Sequence, residues 1–183
     1  MRRLLLGSLL VPLLLGGCAA PSESLTMGVG AADALQLRGF MPAALRGQVA
    51  LGEVGGGAET SMFWGSQISD VALARALEDS LRAVGLLPQQ PALARYRLSA
   101  AITELRQPLI APLDAKVTVT VHYKLLDAAN GDALVYERQL RSAHTTEFGA
   151  AMLSPSERLR LANEAAVRAG IVQLLRELPT LRY

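Results

Sequence analysis

One alternating run and the turn behind it constrain this chain more than any other feature. From Lys116 to Leu126, Val117, Val119, Val121, Tyr123 and Leu125 alternate with Lys116, Thr118, Thr120, His122 and Lys124. That period of two predicts a strand with one buried face and one wet face. Asn130-Gly131 follows, and Asp132 to His144 reads as the returning strand. Asn-Gly is the strongest short hairpin signal, because a type I′ turn needs positive φ at both central positions. With those two residues as the loop, Lys124 faces Glu137, His122 faces Gln139 and Thr120 faces Arg141. The other face pairs Leu125 with Tyr136 and Val121 with Leu140. A slip of one residue would turn the apolar set into water, so the register is strongly specified.

The remaining elements arrange themselves around this hairpin. A first strand is expected at Gln48 to Val54, closed by Gly55-Gly56-Gly57, and a second from about Arg95 to Leu105. Between them lies a helix with Ser69 as N-cap, Asp70 at its positive start and Gly85 in the left-handed C′ position. Its expected buried stripe is Val71, Ala74, Leu77, Leu81 and Val84, with Arg75–Asp79 and Glu78–Arg82 pairs on the wet face. A last helix opens with Ser154-Pro155-Ser156-Glu157, a capping box with proline at the first position. Its expected stripe is Leu159, Ala162, Ala166, Ala169, Val172 and Leu175 or Leu178, and Pro179 stops it. The order predicts an α+β two-layer sandwich: a four-stranded mixed sheet, β-α-β-β-β-α, with two helices on one face. The crossover joins parallel strands, and the last three strands form an antiparallel meander.

The N-terminus carries a different kind of signal. Arg2 and Arg3 precede an apolar stretch from Leu4 to Leu15, which closes on Gly16-Gly17-Cys18. A charged start, a short apolar middle and small residues at the cut make a secretory signal. Small residues followed at once by the only cysteine of the chain resemble the lipobox of bacterial lipoproteins. The resemblance implies cleavage before Cys18, a diacylglycerol thioether on its sulfur and an acyl chain, such as palmitate, on its new amine. It implies no other cofactor. Residues 1–17 are then the signal peptide, 18–34 the lipidated cysteine with a flexible tether, and 35–183 a single periplasmic domain. The precursor has 18 basic and 16 acidic residues. Loss of Arg2 and Arg3 makes the mature chain formally neutral, and no Lys/Arg run exceeds two residues, which excludes nucleic acid as a partner. No second apolar stretch reaches the roughly 18 residues of a membrane span. Attachment therefore rests on lipid, for which two or more acyl chains suffice.

A lipobox ahead of a βαβββα domain resembles the small envelope lipoproteins of Gram-negative bacteria. These include the LPS-assembly lipoprotein and the auxiliary lipoproteins of ABC-type lipid transporters. Leu37-Arg38-Gly39, Leu73-Ala74-Arg75-Ala76-Leu77 with Leu81 and Gly85, and Leu174-Leu175-Arg176-Glu177-Leu178-Pro179 carry the likeness to the first. Tyr96-Arg97-Leu98, Gln107-Pro108-Leu109 and Leu159-Arg160-Leu161-Ala162-Asn163-Glu164 are closer to an uncharacterised proteobacterial lipoprotein family. Ala19 after the cysteine resembles the outer-membrane sorting pattern, which implies the periplasmic side of the outer membrane.

No catalytic constellation is legible. His122 and His144 fall on opposite faces of the hairpin and cannot share a metal. His122 to Asp127 spells the H-x4-D of glycerolipid acyltransferases, but five strand residues span about 16 Å and leave the ends on opposite faces. The glycine triplet lacks both phosphate-loop patterns. What remains are three apolar loops: Met62-Phe63-Trp64, Pro108-Leu109-Ile110-Ala111-Pro112-Leu113, and Phe148 with Met152-Leu153. They either cap the core or form a rim that meets a partner or an acyl chain. The expected function is non-enzymatic: a lipid-anchored accessory in envelope assembly or in lipid or LPS transport, acting through an envelope protein partner. An envelope acyltransferase or hydrolase, and a lipid-binding carrier, stay open as alternatives.

Overall fold

Sheet order follows chain order, β1-β2-β3-β4, with β1 (Val49–Gly55), β2 (Tyr96–Arg106), β3 (Ala115–Asp127) and β4 (Ala133–Thr146). The computed structural model describes residues 20–60, 66–108, 113–152 and 154–182. β1 and β2 are parallel, and β2, β3 and β4 are antiparallel to their neighbours. Helices α3 (Asp70–Ala83) and α4 (Pro155–Glu177) cover one face, and the α+β sandwich expected from the sequence is the fold observed. Two further helices precede the sheet, α1 (Ser24–Met27) and α2 (Ala31–Phe40).

The core lies between the sheet and the helices. Leu98, Val119, Val121, Tyr123 and Leu125 meet Leu73, Leu77, Leu81, Ile171 and Leu174, all essentially without solvent contact. The alternation in β3 places its odd-numbered residues there, as read from the sequence. Every β3–β4 pair from Ala115↔Thr146 to Leu125↔Tyr136 has the expected register, including Lys124↔Glu137 and His122↔Gln139. The turn itself differs. Ala128–Asn130 form a 3-10 turn, the positive φ angles fall on Gly131 and Asp132, and a bulge beyond Leu125 absorbs the extra residue. Asp127 explains the difference. Its carboxylate accepts from the Ala129 amide and caps the 3-10 turn, which shifts the left-handed residues one place along.

Both long helices are rotated relative to expectation. On α3 the buried residues are Leu73, Ala76, Leu77, Ser80 and Leu81, while Val71 is exposed. The Ser69 cap forms, and its hydroxyl accepts from the Ala72 amide at 3.2 Å. Arg82 takes both Glu78 and Asp79, each at 2.6 Å, so Asp79 pairs with Arg82 instead of Arg75. On α4 the stripe runs through Ala162, Asn163, Ala166, Val167, Gly170, Ile171, Leu174 and Leu175, and Ala169 is exposed. Ser154 caps α4 through the Glu157 amide, but the Glu157 carboxylate turns to Arg160, leaving the capping box half made. The cause in both helices is a third neighbour on the helical layer, the N-terminal segment.

Candidate functional site

The segment from Ser22 to Ala34 contains buried residues, in contrast to the flexible tether expected for 18–34. Met27 has no exposed surface and Ala34 is 5% exposed. α1 packs against both α3 and α4, and α2 packs mainly on α3. The docking has a polar half. The Ser22 amide donates to the Gln67 carbonyl at 3.3 Å, and the Ser22 and Ser66 hydroxyls lie 3.4 Å apart. The Glu23 amide donates to the buried Glu164 carboxylate at 2.8 Å, and the Asn163 amide group donates to the Ser66 carbonyl at 3.0 Å. Farther along, the Val29 amide donates to the Ser80 hydroxyl at 3.0 Å, and Arg168 donates to the Thr26 carbonyl. Arg160 ties the cluster together, donating to Glu164 at 2.6 Å and to Glu157 at 2.5 Å. Its guanidinium holds the Glu157 carboxyl below the usual carboxylate range. Sequence reasoning missed this dock. The available signal was polar residues at buried helical positions: Ser80 within an apolar stripe, and Asn163-Glu164 between Ala162 and Ala166.

Strand polarity then gathers the loops. Because β1 and β2 are parallel and the rest antiparallel, the C-terminal ends of β1, β2 and β4 and the start of β3 share one end of the sheet. The segments after β1, after β2 and after β4 all leave from that end. A direct contact joins two of them, since the Phe148 amide donates to the Asp114 carboxylate at 3.0 Å. Ser66 and Gln67, which receive the N-terminal segment, close the loop after β1. The chain arriving from Cys18 therefore enters at this same end.

Of the candidate contact residues, Phe148 is described, and it is 40% exposed. Cys18, Met62, Phe63, Trp64, Leu109 and Ile110 lie outside the described residues. Beside Phe148, Leu113 is 72% and Met152 59% exposed. Arg158, itself buried, reaches under this loop. It donates to the Ala151 carbonyl at 2.5 Å, approaches the Met152 carbonyl at 3.4 Å, and sits 5.1 Å from the Phe148 ring centre. That is cation–π distance, so one guanidinium holds both the backbone and the ring of the loop.

The uncovered face of the sheet is polar. Glu137 accepts from Lys124 at 3.1 Å and pairs with His122 at 3.0 Å, and Lys124 foremost holds its carboxyl below the ordinary range. A shallow groove of about 510 Å³ runs over this face, lined by Glu53, Val54, Gly55, Ser99, Ala101 and Lys124 among others. His122 borders it, whereas His144 pairs with Val117 and so belongs to the helix-covered face of the hairpin. The two histidines lie on opposite faces, as the register required. Among the described residues no group of three His, Cys, Asp or Glu side chains is placed to hold a metal ion. Among them, too, no helix is long and apolar enough to cross a membrane. The glycine triplet is a packing device. A Cβ on Gly56, whose φ is +79°, would overlap the Ile102 carbonyl, and one on Gly57 would lie 2.5 Å from the Ile68 carbonyl oxygen.

No family model matches this chain, and no curated protein matches its sequence. Solved structures do share its architecture. A Xanthomonas campestris protein of family DUF330 superposes with a TM-score of 0.54 at 11% identity, covering 76% of this chain and 89% of that one. A candidate lipoprotein from Caulobacter crescentus CB15 superposes at 0.50 with 16% identity, over 81% of this chain and 93% of its own. At such identities the shared property is the fold: a four-stranded mixed sheet with helices on one side.

Proposed function

We propose that this protein is a lipid-anchored envelope lipoprotein on the periplasmic side of the outer membrane. It acts without catalysis, as an accessory in envelope assembly or lipid transport, by presenting a docking surface to an envelope protein. The observation that carries this reading is the distance between anchor and body. Ser22, only the fourth residue after Cys18, is already buried and hydrogen-bonded. A four-residue extended segment reaches at most about 14 Å. A domain held that closely keeps one orientation toward its membrane and offers the same face to every partner. The uncovered sheet face suits that role, with Ser99, His122, Lys124, Gln139 and Arg141 on its surface and small residues lining its groove.

Two measurements test the reading. Mass spectrometry of the mature protein should find an N-terminus at Cys18 carrying a diacylglycerol and an amide-linked acyl chain. An unmodified Met1 or an unacylated Cys18 refutes the anchor. Photo-crosslinking in cells from Ser99 and Gln139 should trap one defined envelope protein. Adducts with lipid alone would favour the carrier reading, and no adduct from either position refutes the docking face.

A further inference from the structure

We infer that the loop end formed by Leu113, Phe148 and Met152 faces lipid: the domain lies with this end against the bilayer that holds Cys18. The inference rests on the lipoprotein reading and adds an orientation to it. Its first support is position. Strand polarity puts these loops at the end where Ser22 meets Ser66 and Gln67, and Glu23 meets Glu164. Four residues from an acylated cysteine, that end cannot stand more than about 14 Å from the headgroups.

Its second support is chemistry. Leu113, Phe148 and Met152 are 72%, 40% and 59% exposed, and their exposure is built in. Arg158 spends its guanidinium on the Ala151 and Met152 carbonyls and the Phe148 ring, which holds the loop with its apolar side chains outward. The Asp114 carboxylate is engaged by the Phe148 amide, and Glu147, next to Phe148 in the chain, is exposed. Lys116 stands at the same end on the outer sheet face, as does Arg106, whose guanidinium pairs with Glu104 at 2.6 Å. The long Lys116 stem can lie along apolar surface while its charge reaches a lipid phosphate. On an interfacial helix an apolar face built of such residues sinks about 5–10 Å into the headgroup boundary. Other large apolar residues are exposed too, Leu93 and Leu134 among them, but these open β2 and β4 at the far end of the sheet. What distinguishes the Phe148 end is the anchor beside it.

The full chain, matured in a Gram-negative host and reconstituted in phosphatidylethanolamine–phosphatidylglycerol vesicles, provides the test. Leu113→Cys, Met152→Cys, Leu93→Cys and Leu134→Cys each add one labelling site, because acylation consumes the Cys18 thiol. Each replaces an exposed side chain, and a melting curve confirms that it folds. An environment-sensitive fluorophore at L113C and M152C should shift to the blue. Its quenching by brominated lipids should exceed that at L93C and L134C by about threefold or more. Equal quenching at both ends, or stronger quenching at the far end, overturns the inference. Protein that floats with the vesicles while L113C and M152C stay in water refutes the orientation alone, and leaves that end free for a protein. Protein that lacks acyl mass and does not float refutes the lipoprotein reading and the orientation together.

Discussion

Met27→Ala separates a docked N-terminal segment from a loose one. Met27 has no exposed surface and lies where α1 meets α3 and α4. Truncating a buried methionine to alanine costs about 2–5 kcal/mol, the lost transfer energy plus the cavity left behind. The segment has a second line of defence in the hydrogen bonds from Glu23 to Glu164, Val29 to Ser80 and Ser22 to Gln67. Each contributes about 0.5–1.5 kcal/mol net. Together they keep the segment docked in the variant, so most of the cavity cost appears globally. The expectation is a loss of about 2–4 kcal/mol, which for a domain of this size lowers the melting temperature by about 5–15 °C. The assay is urea unfolding of the mature chain with Cys18→Ser, followed by circular dichroism. Leu25→Ala is the internal control, since Leu25 is on the same helix and 82% exposed. It should stay within about 0.5 kcal/mol of the parent. If M27A is no less stable than L25A, Met27 is not part of the core and the short-leash argument fails with it.

Other perturbations probe other links. Gly56→Ala should cost about 3 kcal/mol or more, because a positive φ coincides with overlap on the Ile102 carbonyl; a melting temperature within two degrees of the parent would disprove that close approach. Arg158→Ala should cost about 1–3 kcal/mol and raise amide exchange at Phe148 and Ser154, and unchanged exchange there would show that the guanidinium does not hold the loop. The Arg95 hydrogen bond at 2.8 Å holds the Asp127 carboxyl below its ordinary value. A depressed native pKa means stability present above about pH 4 and lost as pH falls through the native value. Asp127→Asn should therefore lower the urea midpoint at neutral pH and converge with the parent in acid; a gap that persists at low pH contradicts the pairing. His144→Ala, on the face away from the proposed docking surface, should leave crosslinking from Ser99 and Gln139 intact, and loss of envelope function with crosslinking retained would favour the enzymatic alternative.

The hairpin was legible because one face had to be buried. Every pair from Ala115 to Leu125 follows from the alternation alone. The turn was less legible, since Asp127 competes for the backbone amides ahead of Asn130 and converts a two-residue turn into a 3-10 turn with a bulge. The N-terminal helices were not legible for a different reason. α2 is apolar on both sides, with Ala34 and Leu37 buried but Leu35 and Phe40 exposed, so no face stands out. α1 is a single turn, too short for a period to register. Missing them also misplaced the stripes of α3 and α4, because Ser80 and Glu164 turn inward to meet that segment. For the candidate surface, the sequence located Phe148 as an apolar loop residue. Parallel β1 and β2 were expected as well; what the structure adds is the hydrogen bond from the Phe148 amide to Asp114, which joins the segments after β2 and β4.

The dock for the N-terminal segment also sets an order of events. Glu23 and Glu164 are 141 residues apart, and Ser22 and Ser66 are 44 apart. Closing the longer loop requires α4, so the partner for Glu23 is made 141 residues after it. Contacts this distant in sequence form late. Until α4 folds, Glu23 lacks this partner, and afterwards the start of the described chain is drawn into the folded body. If the N-terminus is processed as proposed, processing has a kinetic window that this distant contact closes.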